Sequence, residues 1–290
     1  MNRSIKKLLK KNVPPVLISL FVRTRNTARD IHKTILRKLY SHDPFKLALY
    51  NLNEDSGAWY QTFSYNGESV YFKSWKNSYV GSILRETYVE RAYDWFFSGK
   101  KDLIVVDLGA NVGLFTQYAR RFSKRVIAVE PSQETFSFLQ RAKKDNHWAN
   151  VDIVNAAIAD SSNDSVTFFH NESNTTMRSL NPLMSDGSAT ETVKTMSLSD
   201  LFSSQHITSV DFMKIDVEGA ELEIVRSKGF RDVIPLVRCI ELEIHFRGAY
   251  EEEILNILKD CGLITKKIRT TANVYIATKE GTELRDIPTT

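Results

Sequence analysis

Cysteine, glycine and proline are scarce in this chain. Its 290 residues include two cysteines, Cys239 and Cys261, together with 12 glycines and 7 prolines. Two thiols cannot form a disulfide scaffold or a four-thiolate metal site, so we interpret them as reduced thiols of a cytoplasmic protein. So little glycine and proline excludes a low-complexity chain, and the six histidines lack the paired spacing of a zinc site.

Long apolar runs are also missing from the N-terminal region. The longest there, Val13–Val22, covers about half of what a membrane span needs, and no small-residue cleavage site follows it. Residues 1–46 instead hold 12 Lys or Arg against two acids, so the net charge is +10 there and −6 over the remainder. We predict a basic helical arm over residues 1–50. Its lysine-flanked leucines favour peripheral contact with an anionic membrane face or an acidic partner, and the alternative is a solvated N-terminus.

Residues 51–100 predict a β-hairpin followed by a helix. Asn66-Gly67 joins two aromatic and β-branched runs, 58–65 and 68–74. This dipeptide is a strong hairpin signal because both of its residues accept positive φ. From Gly81 to Phe97, apolar residues recur at three- and four-residue spacing, which indicates a helix. We expect this unit to pack on the core domain.

Strands and helices then alternate over residues 101–280, which predicts a doubly wound α/β fold with a parallel sheet. The predicted strands are Leu103–Leu108, Arg125–Val129, Val151–Val154, Val210–Ile215, Leu236–Ile244, Leu263–Ile268 and Asn273–Thr278. Because no helix separates the last two strands, they should pair antiparallel. A parallel sheet ending in an antiparallel hairpin is the class I methyltransferase (Rossmann-like) architecture, whereas a dinucleotide-binding fold would end with another βαβ unit. Periodicity alone leaves both open.

The turn after the first of these strands indicates a cofactor site. Gly109 and Gly113 permit a tight strand-to-helix turn and close approach of the backbone to a ligand. Nicotinamide enzymes have three glycines in this loop, and Asn111 occupies the position of the middle one. Asp107 precedes the loop. A carboxylate there would repel a pyrophosphate but attract the ammonium and sulfonium groups of S-adenosylmethionine. The pattern therefore favours the methyl donor, with these four residues as cofactor-binding candidates.

Three further residues extend the predicted cofactor site. Glu130 closes the second strand, where an acid binds the ribose hydroxyls of an adenosine ligand; the alternative is a surface acid. The small residue Ala157, after the third strand, leaves room for an adenine ring. Asp160 could accept the exocyclic amine of that ring, and an ordinary loop acid is the alternative.

Four sequence blocks together resemble the FkbM methyltransferase family. They are residues 107–113 (DLGANVG), 127–132 (IAVEPS), 155–157 (NAA) and 214–221 (KIDVEGAE). The resemblance covers roughly residues 86–278. It implies a class I fold, S-adenosylmethionine as donor, and O-methylation of a sugar hydroxyl on a glycan, lipid-linked sugar or natural product. It does not fix the acceptor.

The fourth block also predicts catalytic residues at the end of a core strand. Lys214 and Asp216 alternate with apolar residues and so share one side of the strand, while Glu218 lies in the turn that follows. Their functional interpretation places Asp216 as base or orienter, Lys214 as the cation that keeps it ionised, and Glu218 on a neighbouring hydroxyl. The alternative is an ion pair that only braces the loop.

His245 is the second candidate base. It alternates with Glu241 and Glu243 along the next strand, so all three face the same way. With an ordinary pKa of about 6.5, a neutral imidazole is expected near neutral pH. A structural histidine is the alternative, and Glu243 is either a binder or a brace. The clustered carboxylates could also hold a divalent cation, although we assign no metal ligand.

A polar segment, 171–189, follows a predicted strand and offers candidate acceptor contacts. Its hydroxyl and amide side chains suit a sugar, which suggests an acceptor flap; the alternative is a solvated loop. The residues concerned are Asn174, Thr175, Thr176 and Ser179.

Other functions remain open on sequence alone. A class I methyltransferase that modifies protein or nucleic acid could use the basic arm to bind phosphates, but no Asn-Pro-Pro-Tyr-like motif occurs, so nucleic acid is disfavoured. A nicotinamide dehydrogenase is disfavoured by Asp107 and Asn111. A donor-binding protein without turnover stays open.

Overall fold

The computed structural model describes residues 47–51, 61–65, 67–72, 83–162, 164–171, 174–179, 189–269 and 272–282. The predicted arm, except for its last residues, lies outside this described part. Its membrane contact and the cytoplasmic location therefore stay predictions. Within the described part, no helix combines the length and the apolar character that crossing a bilayer requires.

The described strands fall into three sheets. They are β1 (Leu47–Asn51), β2 (Gln61–Tyr65), β3 (Glu68–Phe72), β4 (Leu103–Leu108), β5 (Ser123–Val129), β6 (Val151–Val154), β7 (Ala157–Ile158), β8 (Ser165–Asn171), β9 (Asn174–Ser179), β10 (Ala189–Met196), β11 (Phe212–Ile215), β12 (Cys239–Glu243), β13 (Leu263–Arg269) and β14 (Val274–Lys279). The sheet orders are β1-β2-β3, β7-β10-β8-β9 and β13-β14-β12-β11-β4-β5-β6.

The described helices connect these strands. They are α1 (Asp94–Phe97), α2 (Leu114–Ala119), α3 (Gln133–Asp145), α4 (Leu198–Ser204), α5 (Glu221–Arg226), α6 (Lys228–Val233) and α7 (Ala249–Asp260). A π-helical turn covers Arg85–Val89, and 3-10 turns cover Arg120–Phe122 and Ile234–Leu236.

The seven-stranded sheet confirms the predicted fold class. β4, β5, β6, β11 and β12 pair in parallel, and β14 alone of the seven runs antiparallel to both of its neighbours, β12 and β13. The strands change direction of winding between β4 and β11, where open α/β sheets bind ligands. This topology is the class I methyltransferase architecture.

The central strands are buried on both faces, as continuous apolar runs predict. Val105 of β4 and Phe212 of β11 belong to one apolar cluster, whereas the next residues, Val106 and Met213, belong to the cluster on the opposite face. All four side chains are fully buried. The carboxyl ends of these strands are therefore held rigidly.

The predicted hairpin before the core is confirmed. β2 and β3 pair antiparallel with Tyr65 opposite Glu68, so a two-residue turn joins them. Sequence reasoning missed β1, which pairs with β2 across the predicted boundary at residue 50. Trp148 links this hairpin to the core, because its indole nitrogen donates to Glu68 Oε2 at 3.0 Å.

The single helix predicted over 81–97 is wrong. The segment forms the π-helical turn, then Arg91 takes a left-handed φ of 54°, and α1 follows. Side-chain contacts override the periodic pattern here. The Tyr93 hydroxyl donates to Glu86 at 3.0 Å, and the Tyr88 hydroxyl donates to Gln117 at 2.7 Å.

An inserted sheet follows β6. β8 and β10 pair antiparallel, and β7 and β9 extend the sheet on either side. Most of the acceptor flap lies outside the described residues. Only the backbone of Asn174, Thr175, Thr176 and Ser179 is described, within β9, so their contact with a sugar stays a prediction.

Ser132 caps α3, and its substitution should weaken that helix. Its Oγ accepts a hydrogen bond from the Thr135 amide at 3.5 Å. We expect Ser132→Ala to lower the free energy of unfolding, measured by urea denaturation, by about 1 kcal/mol. Ser137→Ala, inside the same helix, should be near neutral because alanine favours helix interiors. Equal losses in the two variants would contradict the capping role.

Candidate active site

A cavity of about 380 Å³ opens where β4, β5, β11 and β12 end. Nine of the eleven predicted site residues line it: Asp107, Gly109, Asn111, Glu130, Ala157, Lys214, Asp216, Glu218 and His245. Gly113 lies behind the wall as the first residue before α2. Asp160 is not brought to the cavity; its carboxylate accepts a hydrogen bond from the Lys228 amide at 3.1 Å.

The glycine loop is pressed against the end of β11. Gly109 has a φ of +84°, and a Cβ built on it would lie 1.8 Å from the backbone oxygen of Asp216. Gly113 has a φ of +91°, and its Cβ would lie 2.6 Å from Leu139 Cδ1. Both positions therefore require glycine, and the loop backbone itself forms the cavity wall.

Asp107 is a buried carboxylate with one oxygen left for a ligand. Its Oδ2 accepts a hydrogen bond from the Thr116 hydroxyl at 2.6 Å, whereas Oδ1 is buried without a hydrogen-bond partner among the described residues. Burial raises the pKa of Asp107 to about 6, although the Lys214 charge and the Thr116 hydrogen bond oppose the shift. A cationic ligand would satisfy this oxygen.

Glu130 is fixed at the mouth of the same loop. Its Oε2 accepts a hydrogen bond from the Asn111 amide at 2.9 Å, and Oε1 accepts one from the Ser132 amide at 3.0 Å. A carboxylate oxygen can accept a second hydrogen bond, so Glu130 can still receive ligand hydroxyls.

Lys214 and Asp216 form an ion pair at the end of β11, where Lys214 is the register partner of Asp107 on the adjacent strand. Lys214 Nζ lies 2.6 Å from Asp216 Oδ2. Burial alone would lower the pKa of Lys214, but the charges of Asp216 and Asp107 outweigh it and raise the pKa above its ordinary value. Burial alone would raise the pKa of Asp216, but Lys214 and His245 hold it below its usual range. Both groups are therefore charged at neutral pH.

His245 is held between acidic side chains. Its Nδ1 lies 2.8 Å from Glu221 Oε1, and its Nε2 lies 3.2 Å from Glu218 Oε2 and 3.8 Å from Asp216 Oδ1. Burial lowers the pKa of His245, but hydrogen bonds to Glu218 and Glu221 outweigh it and raise the pKa to about 12. The expectation of a neutral imidazole is therefore wrong, since both ring nitrogens carry protons at neutral pH.

Glu221 is a site residue that sequence reasoning did not single out. It is fully buried at the start of α5, where it also accepts a hydrogen bond from the Gly219 amide at 2.8 Å. Tyr250 of α7 braces the same turn, because its hydroxyl donates to the Gly219 carbonyl at 2.8 Å. The sequence did offer a signal for Glu221: it is an acid in the first turn of the helix that follows Glu218-Gly219-Ala220.

Ligand atoms of Asp216, Glu218 and His245 lie within 4.8 Å of one another, a spacing that could hold a metal ion. A metal ion would have to displace a proton from His245, since a histidine protonated on both nitrogens has no lone pair. We therefore describe these side chains as an ion-paired network and assign no metal ligand.

A second cluster of charged side chains lies at the rim of the cavity. Glu86 and Tyr93 line it, and Arg269 forms ion pairs with both Glu86 and Glu241. Glu241 itself does not line the cavity, because it points to Arg269 at 3.3 Å. The sequence did not indicate a rim position for either residue, because Glu86 lies in the π-helical turn and Tyr93 directly precedes α1, in a segment that the periodic pattern predicts as one helix.

Comparison with known proteins identifies the type of domain. The family model described as "Methyltransferase FkbM domain" matches residues 107–264, more than half of the chain. Methyltransferase 1 of Beauveria bassiana is 27% identical over 178 residues, which cover 54% of this chain and 71% of that protein. Hexuronic acid methyltransferase AglP of Haloferax volcanii is 27% identical over 167 residues, which cover 58% of this chain and 66% of that protein.

A solved structure that is similar to part of this chain is Aeropyrum pernix fibrillarin, crystallised with natively bound S-adenosyl-L-methionine. Its TM-score is 0.41 at 15% sequence identity, and the match covers 75% of this chain and 81% of that chain.

Proposed function

Because this chain belongs to the FkbM methyltransferase family, we propose that it is an S-adenosylmethionine-dependent O-methyltransferase that modifies a sugar hydroxyl. One observation carries the proposal. The buried Oδ1 of Asp107, to which no described residue bonds, lies on the same cavity as the Lys214–Asp216 ion pair, so a cationic donor and a hydroxyl acceptor have adjacent sites.

The donor half of the cavity fits S-adenosylmethionine. Asp107 would attract the cationic part of the donor, and Glu130 would accept hydrogen bonds from the ribose hydroxyls. The backbone that Gly109 exposes allows close approach, and the small side chain of Ala157 leaves room for the adenine. When bound, the donor supplies an electrophilic methyl group on a positively charged sulfur.

Donor binding should depend on the charge of Asp107. Because burial raises its pKa to about 6, the affinity for S-adenosylmethionine should rise as the pH rises through 6 and the carboxylate forms. Asp107→Asn should weaken binding by about tenfold or more, the value of one hydrogen bond to a charged group, and should abolish this pH dependence. Isothermal titration calorimetry between pH 5 and 8 measures both effects.

Asp160→Asn is the matched control, since Asp160 bonds to the Lys228 amide away from the cavity. It should bind the donor as the wild type does. If Asp107→Asn kept the wild-type affinity and pH profile, the assignment of Asp107 to the donor would be withdrawn.

The acceptor half of the cavity suits a polyol. The Asp216 carboxylate, oriented by Lys214, and the Glu218 carboxylate can each accept a hydrogen bond from hydroxyl groups beside the reacting one. These contacts hold the acceptor oxygen in place, which is a large part of what methyl transfer needs. The name of the Haloferax volcanii relative, a hexuronic acid methyltransferase, also supports a sugar acceptor.

The proposal is tested with a donor labelled in its methyl group. The protein is incubated with the donor and, in separate reactions, with a cell-envelope glycan extract, total RNA, or a protein extract. Label in a glycan, with a mass gain of one methylene unit located on a sugar, is the expected result. Label confined to RNA or protein would favour the alternative methyltransferase functions. Donor binding without transfer to any pool would favour a donor-binding protein.

A further inference from the structure

Glu243 is an acidic side chain in the acceptor half of the cavity, and it takes no part in the ion-paired network of Lys214, Asp216, Glu218 and His245. It is the last residue of β12, next to β11 in the sheet, and its half-buried side chain lines the cavity with Asp216 and Lys214. Among the described residues, none forms a hydrogen bond or ion pair with its carboxylate. A carboxylate in that position is free to contact an acceptor.

The other titratable groups in this part of the cavity are already protonated or engaged with charged neighbours. Lys214 and His245 already carry their protons, as their raised pKa values require. Lys214 holds the pKa of Asp216 below its usual range, so the carboxylate stays ionised and binds a proton weakly. Glu218 is engaged with His245 Nε2 at 3.2 Å. On the rim, Glu86 is paired with Arg269 and accepts a hydrogen bond from Tyr93.

We propose that Glu243 is the general base that removes the proton of the acceptor hydroxyl, an inference that rests on the proposed function. As a lone pair of the acceptor oxygen bonds to the methyl carbon, the carbon–sulfur electron pair leaves with the sulfur. The hydroxyl proton passes to the Glu243 carboxylate. The products are the methyl ether, neutral adenosylhomocysteine and a protonated Glu243, which releases its proton to solvent.

The surroundings of Glu243 tune it for this role. Burial and the charge of Asp216 raise its pKa to about 8, while the charges of His245 and Lys214 oppose the shift and Glu86 adds to it. A base works best with a pKa near the operating pH. A cationic donor in the same cavity should lower this pKa, because a nearby positive charge favours the ionised carboxylate.

The Arg269–Glu241 pair packs on the same side of the sheet as Glu243. Its arginine charge is balanced by Glu86 and Glu241, so it does not fix the charge of Glu243 directly. The charged groups that decide the titration of Glu243 are therefore the Lys214–Asp216 pair and His245, to which Glu86 adds.

The first test follows the carboxyl group without turnover. Carbon-13 NMR of glutamate side-chain carboxyls is recorded against pH in the wild type and in Glu243→Gln. Each is saturated either with adenosylhomocysteine or with sinefungin, which carries an amine in place of the sulfonium. We expect one resonance that titrates near pH 8 with adenosylhomocysteine, shifts to lower pH with sinefungin, and is absent from Glu243→Gln. Titration of the Glu243 carboxyl below about pH 5 with adenosylhomocysteine would overturn the proposal.

The second test measures transfer to the glycan extract that the wild type labels. Glu243→Gln should lower kcat by roughly 100-fold or more, the usual value of a positioned base. It should keep the affinity for adenosylhomocysteine, and it should lose the rise of kcat with pH that the wild type shows. Glu243→Asp should recover part of the rate, which separates a lost base from a misfolded site. Glu252→Gln, the same change at an exposed position of α7, should have no effect.

The outcomes separate the two proposals. A wild type that labels no glycan would end the proposed function, and the base assignment would fall with it. A wild type that labels a glycan, beside a Glu243→Gln protein with unchanged kcat and pH profile, would end the base assignment alone.

Discussion

Replacing Gly109 with alanine is expected to abolish donor binding and to destabilise the protein. The new Cβ would meet the backbone oxygen of Asp216 at 1.8 Å and its carbonyl carbon at 2.9 Å. Neither atom can move without displacing the end of β11, whose residues are fully buried up to Ile215. A left-handed φ adds roughly 1–2 kcal/mol for a residue with a side chain.

Forced repacking of this kind typically costs about 1–3 kcal/mol more, so we expect the free energy of unfolding to fall by about 3 kcal/mol or more. Denaturant unfolding measures this loss. Calorimetry with adenosylhomocysteine should detect no binding. The clash can be relieved only if the glycine loop moves away from the Asp216 turn, and these two segments together form the cavity wall.

Gly99→Ala separates the steric effect from the backbone effect. Gly99 has a similar φ of +75°, yet a Cβ there would meet nothing within 4 Å. The free energy of unfolding of this variant should fall only by the cost of the left-handed backbone. The variant should bind adenosylhomocysteine normally. If Gly109→Ala behaved like Gly99→Ala, the close approach of the loop to β11 would not matter for function.

The glycine loop was predictable because its requirements are local. The spacing of Gly109 and Gly113, with Asp107 at the end of an apolar strand, encodes both a tight turn and a buried charge. The parallel sheet and its antiparallel end were predictable for the same reason, since strand burial and connection length are written along the chain.

The protonation of His245 was not predictable from the sequence. An imidazole at a strand end has an ordinary pKa until its neighbours are known. Those neighbours, Asp216, Glu218 and Glu221, all come from the short segment that joins β11 to α5, whereas His245 follows β12, the adjacent strand of the sheet. Their convergence on one ring depends on tertiary packing, which also explains why the role of Glu221 was missed.

The break in the helix before the core has the same origin. Apolar spacing over 81–97 fits a helix, but Tyr93 bonds to Glu86 and Glu86 pairs with Arg269 of β13. A partner almost two hundred residues away along the chain thus decides the local backbone. Local patterns could not place Glu86 and Tyr93 at the rim of the cavity.

The protonated His245 should also make the protein less stable as the pH rises. Its folded pKa is about 12, against about 6.5 for an unfolded histidine. Below pH 6.5 both states hold the proton, so the stabilisation is complete. Above it the unfolded state releases the proton while the folded state keeps it, so the free energy of unfolding falls until the pH passes the folded pKa.

The expected slope is about 1.4 kcal/mol per pH unit, which amounts to about 2–3 kcal/mol between pH 7 and pH 9. His245→Asn removes this contribution, so its stability should vary less with pH than that of the wild type. The difference between the two proteins, from urea denaturation at pH 7, 8 and 9, isolates His245 from other titrating groups.

Two variants make the comparison specific to the ion-paired network. Glu221→Gln keeps the shape of the side chain but removes the charge at Nδ1, so its slope should lie between those of the wild type and His245→Asn. His147→Asn changes an exposed histidine and should keep the full slope. If His245→Asn retained the wild-type slope, His245 would be neutral in the folded protein. A neutral imidazole would then compete with Glu243 as the base, because its unprotonated nitrogen could accept the proton of the acceptor hydroxyl.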